Sequence, residues 1–301
     1  MTKKKTKTKK KEKIKEEYKE KSSFKIFPYL LLIVGLVLIY ARYIEPRNIK
    51  IKDYSITDSH LPVSFDGFSI VQFSDLKLGS TINVDDLNSI VEKINKLKPD
   101  IVVFTGDLID KNVKVSLKEK EDITKKLGNI DPLIGKYSVK GDMDENNAIY
   151  DYVITYSGFT DISNNYELIY YKGLTPIVIY GLGSLNKNDQ DYTKAFAYPD
   201  EKEDPKYMAT YRILLAHEPD TIEKTNNYNI SLMLSGHSLN SSINIPFIKD
   251  KYNIKGAASY YDEKYTVGQT KLFISSGLGT NKYHLRINSR PSISVFRLYT
   301  K

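Results

Sequence analysis

Five short strings in this chain share one pattern. "FSIVQFSD", "DIVVFTGD", "KYSVKGDMD", "RILLAHEPD" and "SLMLSGHS" each run through apolar or β-branched residues and finish on Asp, His or Gly. Runs of that length bounded by turn residues predict buried strands, the kind a sheet-based α/β architecture stacks between layers. The polar residues that end them then fall at strand carboxyl ends, on one rim, where such folds place their sites. A single string would mean only a strand and its turn. All of them together predict a shared site.

Between the early strands the period changes. Val84, Leu87, Val91 and Ile94 follow helical spacing, with Asn83 as the predicted N-cap, Asp85 and Asp86 in the first turn and Pro99 as the stop. Residues 115–128 predict a second, surface helix closed by Gly128. Further strands are expected at 175–181, 271–275 and 293–299, and a long irregular excursion at 185–210. Ile49, Ile51 and Tyr54 roughly alternate ahead of Pro62, as an edge strand would.

The chain is basic, yet its charge is confined to one end. Twelve of the 45 basic residues and four of the 37 acidic ones lie in residues 1–25, which leaves 33 of each in the other residues. A neutral remainder argues against a nucleic-acid partner, because the basic tail runs straight into an apolar segment. That segment, "IFPYLLLIVGLVLIYA", carries no charge from Ile26 to Ala41. Lys25 and Arg42 can snorkel and Tyr29, Tyr40 and Tyr43 can sit at the interfaces, extending it to a membrane span. No small-x-small cleavage site follows in "YARYIEP", so an uncleaved signal anchor is expected. The expected organisation is a basic cytoplasmic tail (1–25), a transmembrane signal anchor (26–44), a connector with an edge strand (45–65) and one folded domain (66–301). The positive-inside rule places that domain outside the cytoplasm of a single-pass membrane protein. Without cysteine there is no disulfide, thiolate ligand or thiol nucleophile.

Taken in order, "SDLKLG", "PDIVVFTGDLID", "KGDMD", "LLAHEPD" and "LSGHSLNSSINIP" resemble the motifs of the calcineurin-like metallophosphoesterases. The ending "FISSGLGTNKYHLRINSRPSISVFRL" is similar to that of the family's membrane-anchored bacterial branch, so the resemblance covers roughly residues 66–299. It implies an α/β (α+β) fold of two central mixed β-sheets in a sandwich flanked by helices, here preceded by one transmembrane helix. It also implies two metal ions at the strand ends that share an aspartate and supply hydroxide to attack a phosphoester.

Position by position, the resemblance splits. Asp107 matches the bridging aspartate, His217 and His237 match two histidine ligands, and Asp142 stands where the family usually has asparagine. One metal position is therefore complete in ligand type, and one divalent ion (Mn, Zn or Fe) is the expected cofactor. The other position keeps Asp75 and the shared Asp107 but has Lys77 and Leu239 for histidines, so a second ion is not expected. Met143 replaces the histidine that stabilises the transition state or protonates the leaving group, and Asn240-Ser241-Ser242 also depart from the family. Asp144 is expected to hold its loop by hydrogen bonds, and His60 and His284 to be surface residues.

Lys77 admits two readings: an internal ammonium neutralising Asp75 and Asp107 where the first metal would sit, or a side chain pointing to solvent. Function divides in the same way. One expectation is a membrane-anchored, one-metal phosphoester hydrolase acting on phospholipid or lipid-linked phosphate, and the other is a pseudoenzyme that keeps the fold for ligand or partner binding.

Overall fold

The computed structural model describes residues 27–198, 208–244, 254–281 and 283–301. The basic tail and residues 199–207 of the excursion lie outside the described residues. The chain divides into two compact units, one ending at Ile44 and the other spanning Glu45–Lys301.

Helix α1 (Phe27–Arg47) has 21 residues, and its most apolar 18-residue window has a mean hydropathy of 2.0. At 1.5 Å per residue that is about 30 Å, the thickness of a bilayer's hydrocarbon core. Leu31, Ile33, Leu36 and Ile39 are all exposed, so α1 is long and apolar enough to cross a membrane.

The second unit holds two six-stranded mixed sheets. The first contains β1 (Lys50–Asp58), β2 (Ser69–Phe73), β3 (Ile101–Phe104), β4 (Gly135–Ser138), β5 (Thr160–Asp161) and β12 (Ser292–Thr300), in the order β1-β12-β2-β3-β4-β5. The other contains β6 (Asn165–Ile169), β7 (Ile177–Gly181), β8 (Arg212–Leu215), β9 (Leu232–Ser235), β10 (Lys264–Val267) and β11 (Thr270–Ile274), in the order β10-β11-β9-β8-β7-β6. β2, β3 and β4 are parallel, as are β7, β8, β9 and β11, so their carboxyl ends gather at one end of each sheet.

Every residue of β2, β3, β7 and β9 is buried, which explains why the sequence shows continuous apolar runs there instead of alternation. Ile70, Ile101 and Val103 face Ile179, Ile213 and Leu234 between the sheets. Their neighbours Val71, Phe73, Val102 and Phe104 turn the other way, onto α2 (Asp86–Lys96), α3 (Leu117–Gly128) and α4 (Ala148–Tyr156). A fully buried Ile or Leu contributes roughly 1.5–3 kcal/mol, so these layers dominate the stability of the domain.

One helix start differs from expectation, and one helix ends where expected but with a different cap. Asn83 does not cap α2: the Asp86 carboxylate reaches back to accept the Asn83 N–H (2.8 Å), closing a turn first, and the helix begins after Asp85. Gly128 does not close α3 in a left-handed cap. It is the last helical residue, and the chain continues right-handed through Asn129 because Ile130 is buried just beyond. The start of α3 is a capping box, in which Ser116 accepts the Glu119 N–H and Glu119 accepts the Ser116 N–H. The polar excursion also contains a short helix, α5 (Tyr192–Ala195), with Asp191 at its N-cap.

Candidate metal centre

The loops that leave β2, β3 and β9 carry an uncommon backbone. Asp75, Lys77, Asp107, His237 and Leu239 have φ between +43° and +67°, the left-handed region. For residues with a Cβ this costs on the order of 1–2 kcal/mol each, so packing and hydrogen bonds must hold the loops in place. The Asp75 N–H donates to Gly106 O (2.8 Å), the Lys77 N–H to Asp107 O (3.0 Å) and the Gly236 N–H to His217 O (3.0 Å). At Gly106, φ +91°, a Cβ would run into Gly141 N at 2.5 Å and His217 Nδ1 at 2.8 Å. Glycine is therefore what lets the β3, β4 and β8 loops approach one another.

Four side chains converge where these loops meet. One donor atom from each of Asp107, Asp142, His217 and His237 lies within 4.8 Å of the others. His217 Nε2 is 3.3 Å from Asp107 Oδ2, 3.8 Å from Asp142 Oδ1 and 3.2 Å from His237 Nδ1. His237 Nδ1 is 3.5 Å from Asp142 Oδ1. Each imidazole has its other nitrogen committed elsewhere. His217 Nδ1 lies 2.5 Å from Thr105 O, and His237 Nε2 lies 2.9 Å from Lys255 O. A carbonyl can only accept, so those nitrogens carry the protons and the lone pairs of His217 Nε2 and His237 Nδ1 face each other. Asp142 Oδ1 is shielded from solvent and accepts no hydrogen bond among the described residues. Acceptors turned toward one point call for a cation. Atoms bound about 2.0–2.2 Å from one ion sit roughly 3–3.5 Å apart, close to the spacing here, so the donor set fits a divalent metal.

The electrostatics agree. Burial opposes the ionised Asp107 carboxylate, yet His217 and Lys77 beside it hold its pKa well below the usual range. Burial likewise disfavours the charged His217 imidazole, but Asp107 and Asp75 raise its pKa well above the ordinary value. The carboxylates of the cluster thus favour positive charge at this point, as a metal site requires.

Lys77 does not point to solvent. It is 4% exposed, with Nζ 2.9 Å from Asp107 Oδ2 and 3.5 Å from Asp75 Oδ1. Burial alone would lower its pKa, and the two carboxylates more than reverse that. Asp75 itself is fully buried and accepts from Ser74 Oγ (2.8 Å) and the His237 N–H (3.0 Å). Leu239, also fully buried, packs on Gly277 beside Asp75. Met143 contributes its backbone, whose N–H donates to Asp107 Oδ1 (3.1 Å).

Asp144 is structural. Its Oδ2 accepts the N–H groups of Asp107 (2.6 Å) and Gly141 (2.9 Å), and its Oδ1 accepts the Leu108 N–H (2.9 Å). Burial and the Asp107 charge push its carboxyl up to about 7, although those three N–H groups favour the ionised form. Asp144→Ala should lower the unfolding free energy by about 4 kcal/mol, since each buried donor left without an acceptor costs about 1–3 kcal/mol. Denaturant titration would measure it, and a loss below about 1 kcal/mol would show that the loop is held by other means.

Several supporting groups were not assigned a role from sequence. The Thr105 and Lys255 carbonyls are backbone atoms that leave no signal in residue type. Glu218 is fully buried and accepts from Ser184 Oγ (2.5 Å) and the Leu185 N–H (3.0 Å), fixing the loop from which Asn186 Nδ2 donates to Lys255 O (2.9 Å). Arg286, fully buried, donates to the carbonyls of Ser276, Gly277, Gly279 and Ser289. His60 is exposed and His284 half-buried, with Nδ1 3.4 Å from Thr280 Oγ1.

A family model described as calcineurin-like phosphoesterase matches residues 55–241. The chain is 33% identical over 262 residues to the uncharacterized metallophosphoesterase YkuE of Bacillus subtilis strain 168, covering 86% of this chain and 88% of that one. It is 26% identical over 317 residues to the UDP-2,3-diacylglucosamine pyrophosphatase LpxG of Chlamydia muridarum, covering 87% and 93%. A transmembrane protein with a metallophosphoesterase domain from Danio rerio is 26% identical over 278 residues, 88% of this chain and 60% of that protein. With a matched segment that contains Asp75, Asp107, Asp142, His217 and His237, the chain belongs to the calcineurin-like phosphoesterase family.

Proposed function

We propose that this protein is a membrane-anchored phosphoester hydrolase that works with one divalent metal, held by Asp107, Asp142, His217 and His237. The observation that carries the reading is the set of acceptor atoms turned toward one point, with Thr105 O and Lys255 O fixing which imidazole nitrogen each histidine presents. A metal there would supply a hydroxide near neutral pH and polarise the phosphoryl group.

The chain's own groups do the rest. Lys77 takes the charge role of a second ion: it keeps Asp107 and Asp75 neutralised and has an N–H left for a phosphoryl oxygen. Thr105 O and Lys255 O orient the two rings, and Asp144 holds the Asp107 and Asp142 loops together. Met143 offers no proton to a departing alkoxide. Substrates that expel a stable anion are therefore favoured, such as diphosphates and aryl esters. The printed name of the LpxG relative, a pyrophosphatase of a lipid-linked sugar nucleotide, is in keeping with a diphosphate substrate that carries a lipid. The lysine-rich tail before α1 orients the domain outside the cytoplasm.

The same Met143 favours a second reading, a pseudoenzyme that binds a phosphorylated ligand without turning it over. Metal analysis of the purified full chain, with assays on aryl phosphodiesters and lipid diphosphates in Mn, Zn and Fe, separates the two. About one bound metal and turnover abolished in His237→Ala would establish the hydrolase. One metal without turnover of any substrate would leave the binding protein.

A further inference from the structure

Burial shows where the metal centre opens. Asp75, Asp107, His217 and Leu239 are fully buried and Lys77 nearly so, which closes that side of the cluster. Asp142 and Met143 are half-buried, and His237 is 9% exposed. A substrate therefore reaches the cluster between the Asp142 loop and His237. Two residues border His237 on that approach. Asn186 Nδ2 lies 3.3 Å from His237 Nε2, and Lys255 O lies 2.9 Å from the same nitrogen.

Lys255 combines a fixed backbone with an exposed side chain. Gly256, φ +84°, packs so closely that a Cβ would meet Glu218 Cγ at 2.8 Å and Asn186 Oδ1 at 2.9 Å. The Gly256 carbonyl accepts the Asp220 N–H (3.0 Å), and the Asp220 carboxylate accepts the N–H groups of Ala258 (2.7 Å), Ser259 (3.1 Å) and Tyr260 (3.1 Å). Glu218 and Asp220 follow directly on His217, so the turn that carries Lys255 is locked to the strand end that carries a metal ligand. The Lys255 ammonium is exposed and donates to Asn186 O (3.0 Å). A lysine stem spans about 6 Å from Cα to Nζ over rotatable bonds, so the ammonium can turn from that carbonyl to the open side of His237.

We propose that Lys255 is the receptor for a second phosphate: with one phosphoryl group at the metal centre, its ammonium binds the adjoining phosphate of a diphosphate. Lys77 is already shared between Asp75 and Asp107, and Met143 holds no proton for a leaving group. The leaving group must then depart as an anion, and Lys255 supplies the cation to meet it. In hydrolysis a water oxygen bonds to phosphorus and the bond from that phosphorus to the bridging oxygen breaks. The bridging oxygen leaves with the electron pair as part of the second phosphate, and the two protons of the water pass to solvent and product. An ammonium, a compact charge with three rotatable donors, holds the oxygens of that phosphate before and after the bond breaks. The turnover part of the proposal rests on the hydrolase reading above, and the binding part does not.

The test compares the Mn-loaded full chain with Lys255→Met, Lys255→Arg and Lys187→Met. Lys187, exposed beside Asn186, controls for charge that merely lies nearby. Each substitution leaves the Lys255 carbonyl on His237, so bound Mn should not change. The probe is a dialkyl methylenediphosphonate, the uncleavable form of a diphosphate diester. Calorimetry should show its Kd about tenfold weaker in Lys255→Met, and changed by less than about threefold in the other two variants. Inorganic phosphate, which fills the metal centre alone, should bind all four proteins equally. Turnover should follow: kcat/KM of diphosphate diesters falls by about tenfold in Lys255→Met, while bis(p-nitrophenyl) phosphate is hydrolysed as by the native chain. A soluble nucleoside diphosphate sugar and a lipid-linked diphosphate should lose the same factor, and the native chain's preference between them tells which source it uses. Unchanged diphosphonate binding in Lys255→Met, an equal loss in Lys187→Met, an equal loss for inorganic phosphate, or a loss of bound Mn would overturn the assignment. No turnover by any of the proteins, with the binding difference intact, would defeat the hydrolase reading and leave the Lys255 contact standing.

Discussion

Replacing Lys77 with methionine is expected to lower the melting temperature of the metal-free protein by about 10 °C. Methionine matches the length of the stem but removes the charge that lies 2.9 Å from Asp107 and 3.5 Å from Asp75, both of them fully buried. Removing one partner of a buried ion pair typically costs about 3–5 kcal/mol, because the remaining charge can neither reach water nor find a new partner. In a domain of this size each kcal/mol shifts the midpoint by about 2–4 °C. Divalent metal should then restore more of the lost stability in Lys77→Met than it adds to the native chain, since the vacated place is bounded by two carboxylates. Calorimetry in chelator and in excess Mn would read both effects. A Lys77→Met variant melting within about 2 °C of the native chain would mean that the lysine does not neutralise the pair.

Met143→His carries the largest expected gain. The Met143 N–H is fixed on Asp107 Oδ1 at 3.1 Å, and its side chain leaves the backbone between Asp142 and Asp144. An imidazole at that position supplies a proton donor titrating near pH 6.5 beside the metal cluster. Leaving-group protonation is worth about 10²–10⁴ in rate, so turnover of an alkyl phosphodiester should rise by about that factor. A p-nitrophenyl ester, whose leaving group departs as a stable anion, should change little. A comparison of the two substrates with one enzyme isolates the effect from any change in metal affinity. An equal gain on both esters would show that the histidine acts by some route other than proton donation.

The two residues differ in how visible their roles are. The lack of a titratable proton at Met143 is readable in a string of letters. The burial of Lys77 is not. A lysine in "SDLKLG" is compatible with an exposed stem or a buried ammonium, and the choice depends on a left-handed backbone at φ +43° that aims the side chain inward. Helix caps differed for a related reason. Asn83 and Gly128 have the right chemistry for caps, but the Asp86 carboxylate captured the Asn83 N–H, and α3, although it ends at Gly128, leads on right-handed to the buried Ile130.

By itself the sequence determined which stretches are buried strands, which residues have side chains able to ligate a metal and where an apolar helix precedes the domain. Those are properties of residue type and local period, and they survive without knowledge of the neighbours. Tertiary structure alone decided that β1 runs parallel to β12, so that β1 starts at the carboxyl end of β2. It alone set the imidazole nitrogens through the carbonyls of Thr105 and Lys255, and made Arg286 and Glu218 clamps on the surrounding loops. The partners there are mostly backbone carbonyl and N–H groups contributed by distant loops. Every residue carries a backbone carbonyl, so only the fold could say which of them would lie within reach.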